Sequence, residues 1–280
     1  MEKFCYYKAL DLIGVNYLGN VATSAKIQKS LKNGTMTYCV YLAPYNMAGT
    51  INGKQINVCP NGEHCHAVCL NNSGRNKADI LIHGAEKSII NNARIKKTRF
   101  FYQDRETFMQ VLIHEIRKAQ RKAKRLNYDF SVRLNGTSDI SPDAFKYNGL
   151  SILDIFPEVM FYDYSKRPRA MQENFAHHNY DVTFSFDGYN FDRCEEYLKM
   201  GGNVAVVFFG DTLPKTFKGY KVIDGNVDDT RYMDEKGVIV GLHYHVTAND
   251  YYRNETTNKR EFHAPKTKFV VLPEDDGWNK

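Results

Sequence analysis

The sequence predicts a single-domain α/β fold built on a parallel β-sheet, and two observations support this prediction. Short runs rich in β-branched and aromatic residues alternate with helical or loop segments along most of the chain. No Pro/Gly-rich linker, low-complexity tract or fixed-period repeat divides the chain. Such alternation is typical of βαβ units, whose sheet is either doubly wound or curled toward a barrel.

The strands and helices follow from local patterns. A helix is predicted over residues 103–126, where Phe108, Val111 and Leu112 begin an apolar series at spacings of three and four. Acidic residues near its start and basic residues near its end suit the helix dipole. A second helix is predicted at 191–200. The predicted strands are, in chain order, residues 36–43, 130–136, 159–164, 181–188, 203–210, 220–225 and 238–246.

Length and composition indicate an ordinary globular protein. With 280 residues, of which 42% are hydrophobic, the chain can fill a large core. Its 6 cysteines are too sparse for a disulfide scaffold, and the residues after Met1 lack the basic start and apolar centre of a signal peptide. No apolar run approaches the roughly eighteen residues of a membrane span. We therefore expect a soluble protein in the reducing cytoplasm.

The basic residues are concentrated in two segments, residues 93–99 and 116–127. The chain has 38 basic and 32 acidic residues and a net charge of +6, which favours approach to a polyanion. These segments indicate either a solvated amphipathic face or a surface that contacts the phosphates of a nucleic acid. The basic residues concerned are Arg94, Lys96, Lys97, Arg99, Arg117, Lys118, Arg121, Lys122, Lys124 and Arg125.

Most predicted strands end abruptly in polar or small residues. In parallel α/β folds, ligands bind at the carboxyl ends of strands, so these positions are candidates for a site. Asn, Asp, Ser and Gly are also what turns and helix N-caps require, so each residue has a structural alternative. The candidates are Asn135, Ser138, Asp139, Asp163, Lys166, Ser185 and Asp224.

Three cysteines and two histidines lie within eleven positions after the first long strand. Cys59, Cys65 and Cys69 have the spacing C-x5-C-x3-C; a "CPNG" turn would fold the first back toward the other two, which share one face of a helical turn. Thiolates bind zinc, copper or iron–sulfur clusters, and three cysteines leave one iron of a four-iron cluster without a protein ligand. Zinc would take His64 or His66 as its fourth ligand. Burial of the cysteines as small hydrophobic residues, without a metal, stays open.

The segment "VIDGNVDDTRYMDEKG" contains four aspartates and an arginine. It could supply carboxylates to Mg²⁺ or Ca²⁺, although it lacks the spacing of an EF-hand. An Asp–Arg ion pair in a connecting loop is the structural alternative, and we favour it. The residues are Asp224, Asp228, Asp229, Arg231 and Asp234.

A "HYH" motif places His243 and His245 on the same face of a predicted strand. The pair could bind a metal or line the site of a replication nuclease. A nucleic-acid-binding or replication-initiation protein, stabilised by zinc at the cysteine cluster, is therefore the alternative to an iron–sulfur protein.

Three segments together carry a family resemblance: "CPNGEHCHAVC" at 59–69, "VRLNGTSD" at 132–139 and "VIDGNVDDTRYMDEKGVIVGL" at 222–242. They resemble the radical S-adenosylmethionine superfamily and, within it, a radical-SAM-like family carried by phages, the gene product 88 type. The resemblance covers roughly residues 25–246. It implies a parallel sheet curled into a partial (β/α)6 TIM-like barrel over residues 1–250, with a C-terminal extension at 251–280, in the cytoplasm of a bacterial host.

The resemblance also implies a cofactor site. Cys59, Cys65 and Cys69 would hold a [4Fe-4S] cluster, whose open iron would bind S-adenosylmethionine and cleave it reductively to act on an unknown nucleotide or nucleic-acid substrate. By position, the segment with Asn135, Gly136, Ser138 and Asp139 would bind the methionine amino group, and Ser185 and Asp187 would face the ribose or methionyl portion.

Overall fold

The predicted strands form the middle of one β-sheet. The computed structural model describes residues 4–21, 25–263, 265 and 267–279. The helices are α1 Tyr6–Ile13, α2 Ala25–Lys32, α3 Gly74–His83, α4 Ile89–Gln103, α5 Arg105–Arg125, α6 Ile152–Ile155, α7 Ala170–Ala176 and α8 Phe191–Lys199. The strands are β1 Gly19–Asn20, β2 Thr35–Val40, β3 Thr50–Ile51, β4 Lys54–Gln55, β5 Asp129–Arg133, β6 Lys146–Tyr147, β7 Leu150–Ser151, β8 Met160–Ser165, β9 Tyr180–Ser185, β10 Asn203–Phe208, β11 Thr216–Phe217, β12 Tyr220–Asp224, β13 Ile239–His243, β14 Tyr251–Arg253, β15 Arg260–Phe262, β16 Val270–Val271 and β17 Trp278–Asn279.

The sheet is mixed and has 11 strands, with the order β1-β2-β5-β8-β9-β10-β13-β12-β11-β17 and β16 also paired to β10. The pairs from β2 to β12 are parallel. The pairs β1–β2, β11–β12 and β11–β17, at the two edges, are antiparallel.

The predicted parallel sheet curled into a partial (β/α)6 barrel is therefore wrong. A barrel of that kind needs a helix after each strand, but the alternation of strand and helix stops at β10. In the described residues 209–238 the chain forms the β11–β12 hairpin and a 3-10 turn at Arg231–Met233 instead of an α-helix. Here β12 runs parallel to β13 and β11 runs antiparallel to β12, and together they extend the sheet as an open layer.

The helix predicted over residues 103–126 is present as α5, and it covers one face of the sheet. It begins at Asp104, whose Oδ1 accepts a hydrogen bond from the N–H of Thr107 at 3.0 Å, as an N-cap should. Its apolar stripe, including Phe108, Leu112 and Ile116, is buried against Val132 and neighbouring strand residues. Burial of this stripe fixes α5 against β2 and β5.

Glu115 is the one buried acid on α5, and it holds the segment before β1 in place. Its carboxylate accepts hydrogen bonds from the hydroxyl groups of Tyr6 (2.9 Å) and Tyr38 (2.5 Å) and from the backbone N–H groups of Leu18 and Gly19 (3.0 Å each). Because all four partners donate to it, the carboxylate is well satisfied although it is only 6% exposed.

Glu115→Gln is expected to lower the free energy of unfolding by about 1–3 kcal/mol, because the amide N–H₂ would face donors and leave buried groups unpaired. Urea unfolding followed by circular dichroism measures this. Glu106→Gln, at an exposed position on the same helix, is the control and should change stability by less than about 0.5 kcal/mol. Equal effects of the two substitutions would contradict the anchoring role.

The opposite face of the sheet is polar near β2, β5 and β8, and the segment at residues 225–236 covers it. Asp229 and Arg231 of this segment are 0% and 1% exposed. Asp229 Oδ2 accepts hydrogen bonds from Arg133 Nη1 on β5 at 2.8 Å and from the Tyr162 hydroxyl on β8 at 3.2 Å. The acidic segment is therefore part of the interior, packed across the strands.

The C-terminal segment adds strands to the sheet. Val270 and Val271 of β16 pair in parallel with Val207 and Phe208 of β10, and β17 pairs with β11. Of the predicted extension at 251–280, residues 264, 266 and 280 lie outside the described residues. Among the described helices, none is both long and apolar enough to cross a membrane.

Candidate metal centre

The three-cysteine loop lies at the carboxyl edge of the parallel strands. Cys59 Sγ is 3.9 Å from the carbonyl oxygen of Thr137, which follows β5. Asn61 Nδ2 donates to the carbonyl oxygen of Lys166, which follows β8, at 3.4 Å. The carbonyl oxygen of His64 accepts from the hydroxyl of Thr267 in the C-terminal segment at 3.0 Å. This edge is where α/β proteins place their ligands.

The predicted turn after Cys59 is present. The N–H of Gly62 donates to the carbonyl oxygen of Cys59 at 3.0 Å, and the N–H of Cys65 donates to the carbonyl oxygen of Gly62, also at 3.0 Å. A 3-10 helix at Glu63–Val68 follows, and Cys69 terminates it. The turn and the helix keep the three cysteines on one short loop.

The thiol side chains are half-buried and close enough to influence one another electrostatically. Burial raises the pKa of Cys59 to about 12, and the negative charge that Cys69 and Cys65 would carry as thiolates adds to this rise. Burial likewise raises the pKa of Cys69 to about 11, with Cys65 as a further contributor. Without a bound cation, Cys59 and Cys69 are therefore neutral thiols at pH 7.

His66 provides a fourth donor beside the thiols. Its Nε2 is buried and has no hydrogen-bond partner among the described residues. Burial lowers the pKa of the imidazole, so the ring is neutral near pH 7 and Nε2 is available as a ligand when it carries the lone pair. The ring packs on Tyr45 with centroids 3.7 Å apart.

The backbone of Tyr45 is strained at the point where its ring packs on His66. Its φ of 54° lies in the left-handed region, which is unfavourable for a bulky residue. The N–H of Tyr45 donates to Cys59 Sγ at 3.5 Å, and its carbonyl oxygen accepts from the N–H of Val58 at 3.1 Å. These contacts hold Tyr45 between Cys59 and His66.

Gly62 leaves space between Cys59 and His66. A Cβ at this position would lie 3.0 Å from His66 Nε2 and 3.2 Å from Cys59 Cβ. Gly62 is buried, and its φ of −100° is accessible to any residue, so the constraint on this position is steric. A side chain here would occupy the space between a thiol and the unpartnered imidazole nitrogen.

Two cations lie close to the thiols. The charges of Lys166 and Arg94 both act to lower the pKa of Cys69. Arg94 donates to Asn71 Oδ1, and Asn71 Nδ2 donates to Asn91 Oδ1 at 3.0 Å. The polar run after Cys69 thus forms a buried amide network that holds an arginine near the thiols, which spacing alone could not reveal.

The donor types fit a thiolate-bound metal, although the side chains are not closed around one point. Among the residues that the structure describes, no three Cys, His, Asp or Glu side chains are placed to hold a metal ion as they stand. Cys65 Sγ, for example, points toward the carbonyl oxygen of Gly62 at 3.2 Å. The unpartnered nitrogen of His66 and the space at Gly62 are the features that fit a metal.

The strand-end candidates after β5 and β8 form a buried hydrogen-bond network. Asn135 donates through its N–H and Nδ2 to the two carboxylate oxygens of Asp163 at 2.9 and 2.8 Å, and its Oδ1 accepts from the Ser138 hydroxyl at 2.8 Å. Burial raises the pKa of Asp163 to about 7, although the hydrogen bonds from Asn135 lower it. The structure therefore brings Asn135, Ser138 and Asp163 together, engaged with one another.

The other predicted cofactor residues also have local partners. The N–H of Gly136 donates to the carbonyl oxygen of Val40 at 2.9 Å, and a Cβ there would lie 2.7 Å from the Tyr41 ring. Asp139 accepts from the hydroxyl of Ser165 at 2.7 Å and from the N–H of Lys166 at 2.9 Å.

After β9, the two predicted residues belong to one loop. Asp187 Oδ1 accepts from the backbone N–H groups of Tyr189 and Asn190 at 2.8 and 3.0 Å, which is an Asx-type turn. Ser185 is 6% exposed, and its carbonyl oxygen accepts from Asn190 Nδ2 at 3.1 Å. Binding of a cofactor by these residues stays a prediction.

The acidic segment contains the ion pairs expected from its sequence. Arg231 forms ion pairs with Asp228 (3.1 Å) and Asp234 (3.3 Å). Asp224 instead accepts from the N–H of Asn226 at 2.8 Å in a turn. The pair between Asp229 and Arg133 was not predicted, because no local pattern relates residues so far apart in the chain.

The basic residues divide into two groups. Several on α4 are engaged internally: Lys97 Nζ donates to the carbonyl oxygen of Leu18 at 3.0 Å, Lys96 Nζ to that of Gly14 at 3.3 Å, and Arg99 Nη1 to that of Ala48 at 2.8 Å. Those in the second half of α5 are exposed, namely Arg117, Lys118, Arg121, Lys122, Lys124 and Arg125.

The fold and the loop define the class of protein: a mixed α/β protein with a thiol-rich loop at the carboxyl edge of its parallel strands. The chain belongs to the gene product 88 family, a phage-type family whose model matches residues 16–260. The predicted membership of this family is confirmed, and no comparison supports a radical SAM relationship. Comparison with curated proteins and with solved structures gives no match.

Proposed function

We propose that this protein binds a metal centre through the thiolates of Cys59, Cys65 and Cys69, and that the centre is a [4Fe-4S] cluster. One observation carries the proposal: the turn after Cys59 and the 3-10 helix at Glu63–Val68 place three thiols on a single loop at the edge of the sheet where ligands bind. Three cysteine ligands suit a four-iron cluster that leaves one iron open.

The surrounding residues suit an anionic centre. Lys166 and Arg94 offset negative charge near Cys69, and the amide network of Asn71 holds Arg94 in place. Because the thiols must lose their protons on binding, affinity for the centre should increase with pH. Cysteine thiols remain reduced in the cytoplasm, so we place this activity in the cytoplasm of a bacterial host.

We extend the proposal to S-adenosylmethionine as the ligand of the open iron, and to a nucleotide or nucleic acid as the substrate. When bound, this pair supplies radical chemistry. The chain's part is to hold the loop at the sheet edge: Asp139 fixes the backbone of Lys166, and Asn61 joins that backbone to the cysteine loop. The carboxyl edge of the parallel strands is the place for such a ligand.

Metal and sulfide analysis of protein purified without oxygen tests the proposal. A cluster gives about four irons and four sulfides per chain, and the triple variant Cys59→Ala/Cys65→Ala/Cys69→Ala should contain neither. The control is the triple variant of the remaining thiols, Cys5→Ala/Cys39→Ala/Cys194→Ala, which should retain the iron if it is folded. Absence of iron and sulfide from the wild-type protein after reconstitution would contradict the proposal. Cleavage of S-adenosylmethionine is measured only if the cluster is present.

A zinc site is the second candidate, and the buried, unpartnered Nε2 of His66 favours it. Three thiolates and this nitrogen would complete a tetrahedral Cys₃His site. If the centre is zinc, metal analysis should find one zinc per chain and no sulfide. His66→Gln should then weaken zinc binding, whereas His64→Gln should not, because His64 is near Glu63 and Tyr189.

A further inference from the structure

A groove of about 660 Å³ opens between α5 and the segment that leads into β1, away from the cysteine loop. One wall consists of basic side chains of α5, and the other includes polar and aromatic residues. The lining includes Lys118, Arg121, Lys122, Arg125, Asn16 and Tyr17.

The four basic residues form one stripe. Positions 118, 121, 122 and 125 are separated by three and four residues, so their side chains project from the same face of the helix over about 10 Å. All four are exposed, and within the described part of the chain no acidic side chain forms an ion pair with any of them. Their charges are therefore available to a ligand.

The acid that lines the groove does not cancel this charge. Glu115 is 6% exposed, and its oxygens already accept from Tyr6, Tyr38 and two backbone N–H groups. The helix dipole also favours basic residues at a helix C-terminus. It does not explain why a second wall of polar and aromatic residues faces them. Here the facing segment is held by Lys97, which donates to the carbonyl oxygen of Leu18 and lies 4.5 Å from the centre of the Tyr17 ring.

We propose that this groove binds the phosphate backbone of a single-stranded nucleic acid. A stripe of cations beside an aromatic side chain is how single strands are bound without sequence preference: the cations contact phosphates, and bases stack on the rings. Tyr17 is 37% exposed at the groove and offers such a ring. Four of the ten basic residues of the predicted surface line this groove, and the inference does not depend on the metal centre.

The test is fluorescence anisotropy with a labelled oligothymidylate, an oligouridylate and a duplex, at several salt concentrations. The groove variant Lys118→Gln/Lys122→Gln should bind either single strand about tenfold more weakly and lower the slope of log K against log salt by about 1.4, since each phosphate contact contributes about 0.7. The matched control is Lys54→Gln/Lys87→Gln, two exposed lysines outside the groove and outside the basic segments.

The control should weaken binding less than about twofold, because it removes the same charge but no groove contact. Three results would overturn the inference: equal loss in the two double variants, tighter binding of the duplex than of both single strands, or competition by inorganic polyphosphate as strong as that by the oligothymidylate. Preference between the DNA and RNA strands identifies the natural ligand.

Discussion

Asp229→Ala is expected to lower the free energy of unfolding by about 3–5 kcal/mol, because it leaves a buried arginine without its partner. The Asp229 side chain is 0% exposed, and the Arg133 side chain 11%. Burial alone would lower the pKa of Arg133, but the charge of Asp229 reverses this and keeps the pKa well above its usual value. Removal of the carboxylate removes that compensation.

Urea unfolding followed by the fluorescence of Trp278, the protein's 1 tryptophan, measures this loss. Asp276→Ala is the control. Asp276 is fully exposed, and its ion pair with Lys218 is long, at 3.7 Å. Because exposed ion pairs contribute little, no measurable change in the free energy of unfolding is expected. The double variant Arg133→Met/Asp229→Leu should regain most of the lost stability, because no charge then remains buried at the pair. A double variant no more stable than Asp229→Ala would show that the pair is not the source of the effect.

The pair between Asp229 and Arg133 is an example of a contact that the sequence does not predict. The strands at β2, β5, β8, β9, β10, β12 and β13 were located correctly, because buried strands are read as short apolar runs with polar ends. The direction of a two-residue edge strand has no such local signal, so the mixed sheet was not predicted. The position of the acidic segment on the face of the sheet opposite α5 was not predicted either.

The same limit applies to the candidate centre. The spacing of Cys59, Cys65 and Cys69 is local, so the turn after Cys59 and the helical segment that follows it could be predicted. The approach of Arg94 depends on buried amides of Asn71 and Asn91, and the packing of His66 depends on a strained Tyr45; both arise only when distant segments pack together. A strand-end polar residue such as Asn135 has the same sequence appearance whether it binds a ligand or a neighbouring aspartate.

Gly62→Val is expected to weaken metal binding at least about tenfold, the scale of effects seen when the surroundings of metal ligands are changed. The added branches would occupy the space between Cys59 and His66, where a Cβ alone would lie 3.0 Å from Nε2. For zinc, the substitution would separate the imidazole from the thiolates; for a cluster, it would obstruct the approach of Cys59 to the other two ligands.

The measurement is metal content and affinity after reconstitution, in protein whose folding has been checked by circular dichroism. Ala67→Val is the matched control, because it adds a branch at an exposed position of the same 3-10 helix, beside the loop but outside that space. Overpacking can lower the stability of both variants, so the two are compared by their metal content. If the Gly62 variant bound metal as well as the Ala67 variant, the space at Gly62 would have no part in the centre, and Cys59 would be the first ligand to reassign.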